Sequence, residues 1–380
     1  MKLQLDPAKE YGLVLEGGGA KGSYQIGAWK AIREAGIDIK GIAGASVGAL
    51  NGAMICMDEP EKAEYIWENI SYSRVMDIDD GVMETVRRLD WKSVNMAVLA
   101  EEAKKVLRDK GFDITPLRQL IQAVVDEEKI RSSDRDLFIT TYSVNDRELL
   151  TIDAKKVPEG EIGDMLMASA YLPVFKREKL GGKRYLDGGG WNNVPVDILL
   201  EEGYRDIIII RIYGLGFDSE KVTQIPEDAK VYHIAPRQSL GGLLQFDKKQ
   251  AAKNMRLGYY DALRLLYGLR GKWYYLDAPE SEEYYFERLI GELEVLKKLI
   301  PEEVLKDSGD VQERDGSRGY RMYTEQIFPK LARHWKMKED WDYRDLYLAF
   351  LENGARARRI GRFRVYRPGE LLTAIRQKME

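Results

Sequence analysis

Ser46 stands in the run Gly44-Ala45-Ser46-Val47-Gly48, with an apolar stretch before it and a helical pattern after it. Glycines two residues to either side let a chain turn sharply from strand to helix. Such a turn pushes the serine Oγ outward and leaves the next N–H, that of Val47, facing the same space. That is the layout of a nucleophile attacking an acyl carbonyl beside an oxyanion donor; the plainer reading is a turn of small residues. A serine nucleophile needs a base within hydrogen-bond reach. Asp187 opens the run Asp187-Gly188-Gly189-Gly190, where a carboxylate at the mouth of a glycine turn can be held close to a neighbouring backbone. As a bare Asp-Gly pair it would be a β-turn. The third run is Gly17-Gly18-Gly19-Ala20-Lys21-Gly22. Consecutive glycines there let N–H groups point at an anion beside a helix N-terminus. The run formally satisfies G-x-G-x-x-G, but no acidic residue clearly ends a second strand about 20 residues on, where a dinucleotide ribose would be held. No Lys-Ser/Thr follows Gly22, so the P-loop pattern fails as well.

Composition narrows the chemistry. The chain of 380 residues contains two histidines, His233 and His334, so histidine-rich zinc or two-metal sites lack ligands. A net charge of −4 gives no global basic field, and nucleic acid is not an expected partner. The single cysteine, Cys56, cannot form an internal disulfide, which fits a reducing compartment and makes the cytoplasm the default. Residues 1–10 do not read as a secretory signal. The most apolar short run, residues 207–212, contains Arg211 and falls far short of the ~20 residues of a spanning helix. It reads as a buried strand.

Elements to position these residues follow an α/β rhythm. Residues 11–16 carry Leu13, Val14 and Leu15 as a buried parallel strand would, and Ile26, Trp29, Ile32 and Ala35 recur at helical spacing after Gly22. Residues 41–45 form a second strand and residues 47–57 its helix. Residues 60–131 read as a mostly helical insertion. A hairpin is expected over 136–152, turning at Asn145-Asp146. Residues 161–170 and 196–202 read as helices, and 183–186, 206–213 and 230–234 as strands. His233 lies inside the last of these, where its neighbours suggest a packed position; His334 reads as helix surface. Beyond Pro236 the pattern is mostly helical, with residues 307–319 the expected exposed loop. The boundaries are therefore 1–236 for a catalytic domain and 237–380 for a helical extension. Its tyrosines and tryptophans read mainly as packing, and the run Arg356, Arg358, Arg359, Arg362, Arg364, Arg367 as a solvated or internally paired face, with a contact for anionic head groups as the alternative reading.

Together the three glycine-centred runs resemble the patatin-like phospholipase family, especially its bacterial members and the lysophospholipases of the neuropathy-target-esterase group. The resemblance covers residues 11–212. It includes Ala49-Leu50-Asn51-Gly52 after the elbow, Ala168-Ser169-Ala170-Tyr171-Leu172-Pro173, and Asn192-Asn193-Val194-Pro195 after Asp187-Gly188-Gly189. It implies a three-layer α/β/α sandwich and a Ser-Asp dyad that hydrolyses lipid acyl esters without histidine. Carried over by position, Ser46 is the nucleophile, Asp187 the base, and Gly18, Gly19 and Val47 lie at the oxyanion hole. Lys21 stands where the family has arginine or lysine, and Gly17, Gly22, Gly44, Gly48, Gly188 and Gly189 support the backbone. The implied substrate is a phospholipid or lysophospholipid, met by peripheral contact at the inner face of a membrane, with no metal or cofactor required. An acyltransferase using the same acyl-enzyme is a close variant; a non-catalytic lipid-binding or scaffold protein keeping the fold is the reading from another class.

Overall fold

Residues 1–81, 111–176, 178–306 and 321–379 are described by a computed structural model. β1 (Glu10–Leu15) runs into the glycine loop and α1 (Ser23–Glu34), followed by β2 (Asp38–Ala45), α2 (Val47–Cys56) and α3 (Pro60–Glu68). Of the expected helical insertion, residues 82–110 lie outside the described residues, and the chain resumes with α4 (Thr115–Val124) and α5 (Glu127–Ser132). The hairpin is β3 (Asp136–Ser143) and β4 (Glu148–Asp153), with the Ser143 hydroxyl donating to the Asp146 carboxylate in its turn at 2.6 Å. Then come α6 (Ile162–Ser169), β5 (Tyr185–Asp187), α7 (Val196–Glu201), β6 (Asp206–Ile210), β7 (Lys230–Ile234) and α8 (Lys248–Tyr267).

The strands form one sheet in the order β4-β3-β2-β1-β6-β7, and β5 also pairs with β3. The pairs β3–β2, β2–β1, β1–β6 and β6–β7 are parallel, while β4 and β5 run antiparallel to β3. Side chains alternate between the faces of a strand, and here each face is covered. Val14, Ala43, Phe138, Ile207 and Ile209 pack against Val196, Ile198 and Leu199 of α7. Leu15, Ile42 and Leu137 point the other way, toward Gly52 of α2. The result is a three-layer α/β/α sandwich whose central strands are buried on both sides, which is why they read as continuous apolar runs.

Contacts divide the described residues into Leu3–Leu266 and a second unit made of Met1–Lys2 with Tyr267–Glu380. Residues 237–266 thus pack with the first unit, beyond the boundary read at 236. The reason is close backbone approach of α8 to α1. A Cβ on Gly27 would lie 1.9 Å from the Met255 carbonyl oxygen, and one on Gly258 would lie 1.9 Å from that of Tyr24. The second unit has its own core, in which Tyr285, Leu289, Phe328, Leu331, Tyr347 and Phe350 come together. It is mostly helical, as expected, with a short parallel pair of strands, β8 (Tyr275–Leu276) and β9 (Val365–Tyr366), that no alternation announced. The loop expected at 307–319 lies outside the described residues. Part of the arginine run is paired internally: Arg356 sits 4.0 Å over the Trp273 ring, and Arg364 lies over Tyr366 and 3.7 Å from the Glu370 carboxylate.

Candidate active site

Ser46 joins β2 to α2 with φ 55° and ψ −125°. A side chain in that region is strained, so the surroundings must hold it there. Two of its glycines do so by allowing contact without side chains. A Cβ on Gly44 would lie 2.5 Å from the Gly48 carbonyl carbon, and one on Gly48 would lie 2.1 Å from the Leu15 carbonyl oxygen. The Ser46 N–H donates to the Ser169 hydroxyl at 2.9 Å, tying the elbow to the end of α6. Val47 is the first residue of α2, where N–H groups have no partner within the helix and the helix dipole is positive.

The glycine loop lies against this elbow. A Cβ on Gly17 would be 3.1 Å from the Ala45 oxygen and 3.3 Å from the Ser46 Cβ. The Gly17 N–H donates to the Asn193 carbonyl, and the Asn193 side-chain amide donates back to the Gly17 carbonyl, each at 3.2 Å. Gly19 takes φ 53°, and a Cβ there would strike the Leu243 carbonyl oxygen at 2.3 Å. On the far side of the loop, Gly22 sits over Val47, and Asn51 of α2 donates to the Gly22 carbonyl at 2.9 Å. The Lys21 ammonium donates to the Tyr213 carbonyl at 2.5 Å, so its charge braces the loop that follows β6.

Asp187 ends β5 opposite Thr141 of β3. Its N–H donates to the Tyr171 carbonyl at 2.9 Å, and its carboxylate accepts the Gly189 N–H at 2.8 Å. Gly188 lets the turn cross β3, since a Cβ there would lie 2.5 Å from the Thr140 oxygen. Burial pushes the Asp187 carboxyl up to about 6, against the opposing pull of the Ser46 hydroxyl and the Gly189 N–H. Ser46 and Asp187 are therefore neighbours in space, brought together by the pairing of β5 with β3 and of β3 with β2. A cavity of about 100 Å³ opens beside Ser46, with Gly19 and Val47 at the same side and an apolar lining that includes Leu50, Met54, Trp67, Leu117 and Phe175. Its lining is almost wholly apolar.

Several residues of the site escaped sequence reading as individuals. Ser169 and Asn193 stood inside recognised runs without a role of their own. Glu16 is the larger omission, and its signal was a charge at the end of an otherwise apolar buried strand. Only 2% exposed, it accepts from the Arg211 guanidinium at 3.0 Å and from the N–H groups of Ile212, Tyr213 and Gly214 at 2.7, 3.0 and 3.1 Å. Arg211 also donates to Asp218 at 2.7 Å and Glu220 at 2.6 Å. Burial works against the Arg211 charge, but the carboxylates of Asp218 and Glu16 outweigh it and hold the guanidinium protonated. This network fixes the chain after β6 behind the glycine loop: a Cβ on Gly214 would lie 1.7 Å from the Gly17 oxygen.

His233 corrects one expectation. It lies in β7 at the end of the sheet order, with an exposed side chain that engages Glu220 rather than packing inward. An outermost strand has only one neighbour, so an apolar surround in sequence does not bury every side chain. His334 is exposed at the end of its helix, Phe328–His334. Among the described residues, no group of three or more His, Cys, Asp or Glu is placed to hold a metal ion, and no helix is long and apolar enough to cross a membrane.

The sequence profile described as "Patatin-like phospholipase" matches residues 13–200. The mouse protein "Patatin-like phospholipase domain-containing protein 7" is 26% identical over 205 residues, 53% of this chain and 13% of that protein. "Neuropathy target esterase sws" of Drosophila melanogaster is 26% identical over 206 residues, with the same coverage of 53% and 13%. The chain thus corresponds to a small part of the length of these relatives. Among solved structures, VipD from Legionella pneumophila aligns with a TM-score of 0.41 at 15% identity, covering 97% of this chain and 86% of that one.

Proposed function

Because the chain belongs to the patatin-like phospholipase family through residues 13–200, we propose that it is a serine lipid acyl hydrolase working through Ser46 and Asp187. The observation that carries this reading is the meeting of a strained serine at a helix N-terminus, a carboxylate beside its hydroxyl and an apolar cavity alongside. In the proposed reaction the ester's acyl chain lies in the cavity and its carbonyl carbon faces the Ser46 Oγ. Asp187 accepts the hydroxyl proton as the new C–O bond forms. The negative charge that develops on the carbonyl oxygen faces the N–H groups of Gly18, Gly19 and Val47, which need no reorganisation to receive it. Collapse expels the alcohol, protonated by Asp187, and leaves the acyl group on Ser46. Water then attacks the acyl-enzyme with Asp187 again taking a proton; the C–Oγ bond breaks, Asp187 returns that proton to the Ser46 oxygen, and the fatty acid leaves. Phospholipids and lysophospholipids fit the apolar acyl site and the family. No step asks for an imidazole.

Ser46→Ala and Asp187→Asn each test the dyad while changing little volume. Turnover of a short-chain p-nitrophenyl ester should fall by about 10³-fold or more in either variant. Covalent labelling by a fluorophosphonate should disappear in Ser46→Ala. A folded variant of either kind that stays within a few-fold of the parent would remove its residue from the mechanism.

A further inference from the structure

Large apolar side chains are left in solvent on segments that pack against the glycine loop and the turn carrying Asp187, where Gly214 meets Gly17 and Phe217 bonds Gly189. Leu215 and Val222 are 78% and 67% exposed, and Tyr213, Phe217 and Trp191 are exposed with them. They belong to two segments joined to the turn that carries Asp187. The Phe217 N–H donates to the Gly189 carbonyl at 3.0 Å, and its own carbonyl accepts the Asn193 N–H at 2.9 Å. Trp191 follows the same turn and stacks on Tyr142 with ring centroids 3.8 Å apart. The segment is not a fraying loop, because Glu16 grips three successive N–H groups at its start and Arg211 ties down Asp218 and Glu220.

Its charges are sorted as well. The Asp218 and Glu220 side chains are turned inward, 19% and 17% exposed, whereas Lys221, its ammonium 3.5 Å from the Asp218 carboxylate, stays 78% exposed. A braced loop that presents leucine, valine, tyrosine and phenylalanine with a cation, and hides its acids, has the composition of a membrane-interface contact. Water-soluble surfaces rarely keep such a cluster exposed without a use. We propose that this rim, residues 213–222 with Trp191, seats the protein on a phospholipid surface, so that an ester passes from the lipid phase to Ser46 without crossing bulk water. The inference rests on the lipid hydrolase reading and adds to it the surface through which substrate arrives.

The test compares the parent with L215D/V222D and with L215W, on vesicles of phosphatidylcholine alone and of phosphatidylcholine with phosphatidylglycerol. Neither side chain belongs to the site, so fluorophosphonate labelling and turnover of a soluble short-chain ester should match the parent. Vesicle binding by co-flotation should fall by about tenfold or more in L215D/V222D and strengthen in L215W. Hydrolysis of vesicle phospholipid should change in parallel. The phosphatidylglycerol arm should bind more tightly through Lys221. Unchanged binding in L215D/V222D overturns the proposal, and so does a parent that pairs with a second copy through this face and becomes monomeric in the variant while vesicle binding stays the same. Binding lost in the variant, with no ester turnover or labelling in the parent, would keep the surface and sink the hydrolase reading instead.

Discussion

Asp187 carries the pH dependence of the proposed reaction, because its carboxyl is pushed up to about 6 by burial and must be ionised to take the Ser46 proton. Turnover should therefore rise with pH through a limb centred at about 6. An imidazole titrates close by, at ~6.5, so the midpoint alone does not name the group. Replacing both His233 and His334 with glutamine should leave the limb and most of the activity in place; a limb that vanishes would mean a histidine had been doing the work. The same carboxyl affects stability with a definite sign. Its folded pKa lies above the ordinary 3.8, so its contribution to stability is full below the unfolded value and is lost as pH rises through the folded one. Asp187→Asn should accordingly melt higher than the parent at pH ~8, by at most about 3 kcal/mol of stability and less to the extent that solvent reaches the group, with little gain near pH ~4. Paired thermal melts at the two pH values check this. A serine-to-base distance cannot be seen in a sequence, yet both residue types were legible there because glycine spacing marks the turns that present them.

At the scale of elements, the site depends on what happens just past the ends of β1, β2, β5 and β6. Each strand ends in a turn that is held from another element: Ser46 by Ser169, Gly17 by Asn193, Asp187 by Tyr171, and residues 212–214 by Glu16. Glu16 is the most exacting of these. Glu16→Ala would leave the buried Arg211 short of one carboxylate and three N–H groups without their acceptor, a change expected to cost about 3–5 kcal/mol. Glu16→Gln keeps an acceptor oxygen and should lose less. Urea unfolding of the two variants measures the difference, and equal stability of Glu16→Ala and the parent would show that the network contributes little. These supports were not legible locally. A glutamate after an apolar strand signals that a partner exists, but its partners lie some two hundred positions away in the chain.

Over the whole molecule, layering decides where the substrate chain goes. The cavity is lined from α2, α3, α4 and the loop after α6, elements that come together only when α2 lies on the sheet and the helices around it close over Ser46. Leu117 of α4 is one wall, so Leu117→Trp should shorten the acceptable acyl chain. The ratio of turnover on a palmitoyl ester to that on a butanoyl ester should fall by about tenfold or more, and an unchanged ratio would place the acyl chain elsewhere. By itself the sequence determined the α/β order, the sharp turn at Ser46, the glycine loop, the carboxylate of Asp187 and the shortage of imidazole. All of these depend on residue type and near-neighbour spacing, which local sterics convert directly into backbone shape. Tertiary structure alone decided that Ser46 and Asp187 meet, that Ser169, Asn193, Glu16 and Arg211 hold the turns, that His233 faces outward, and that residues 237–266 pack with the first unit. Hydrogen-bond partners and close backbone approaches of this kind are set by which strands pair and which helices touch, and that information is carried by the whole chain's burial rather than by any one stretch of it.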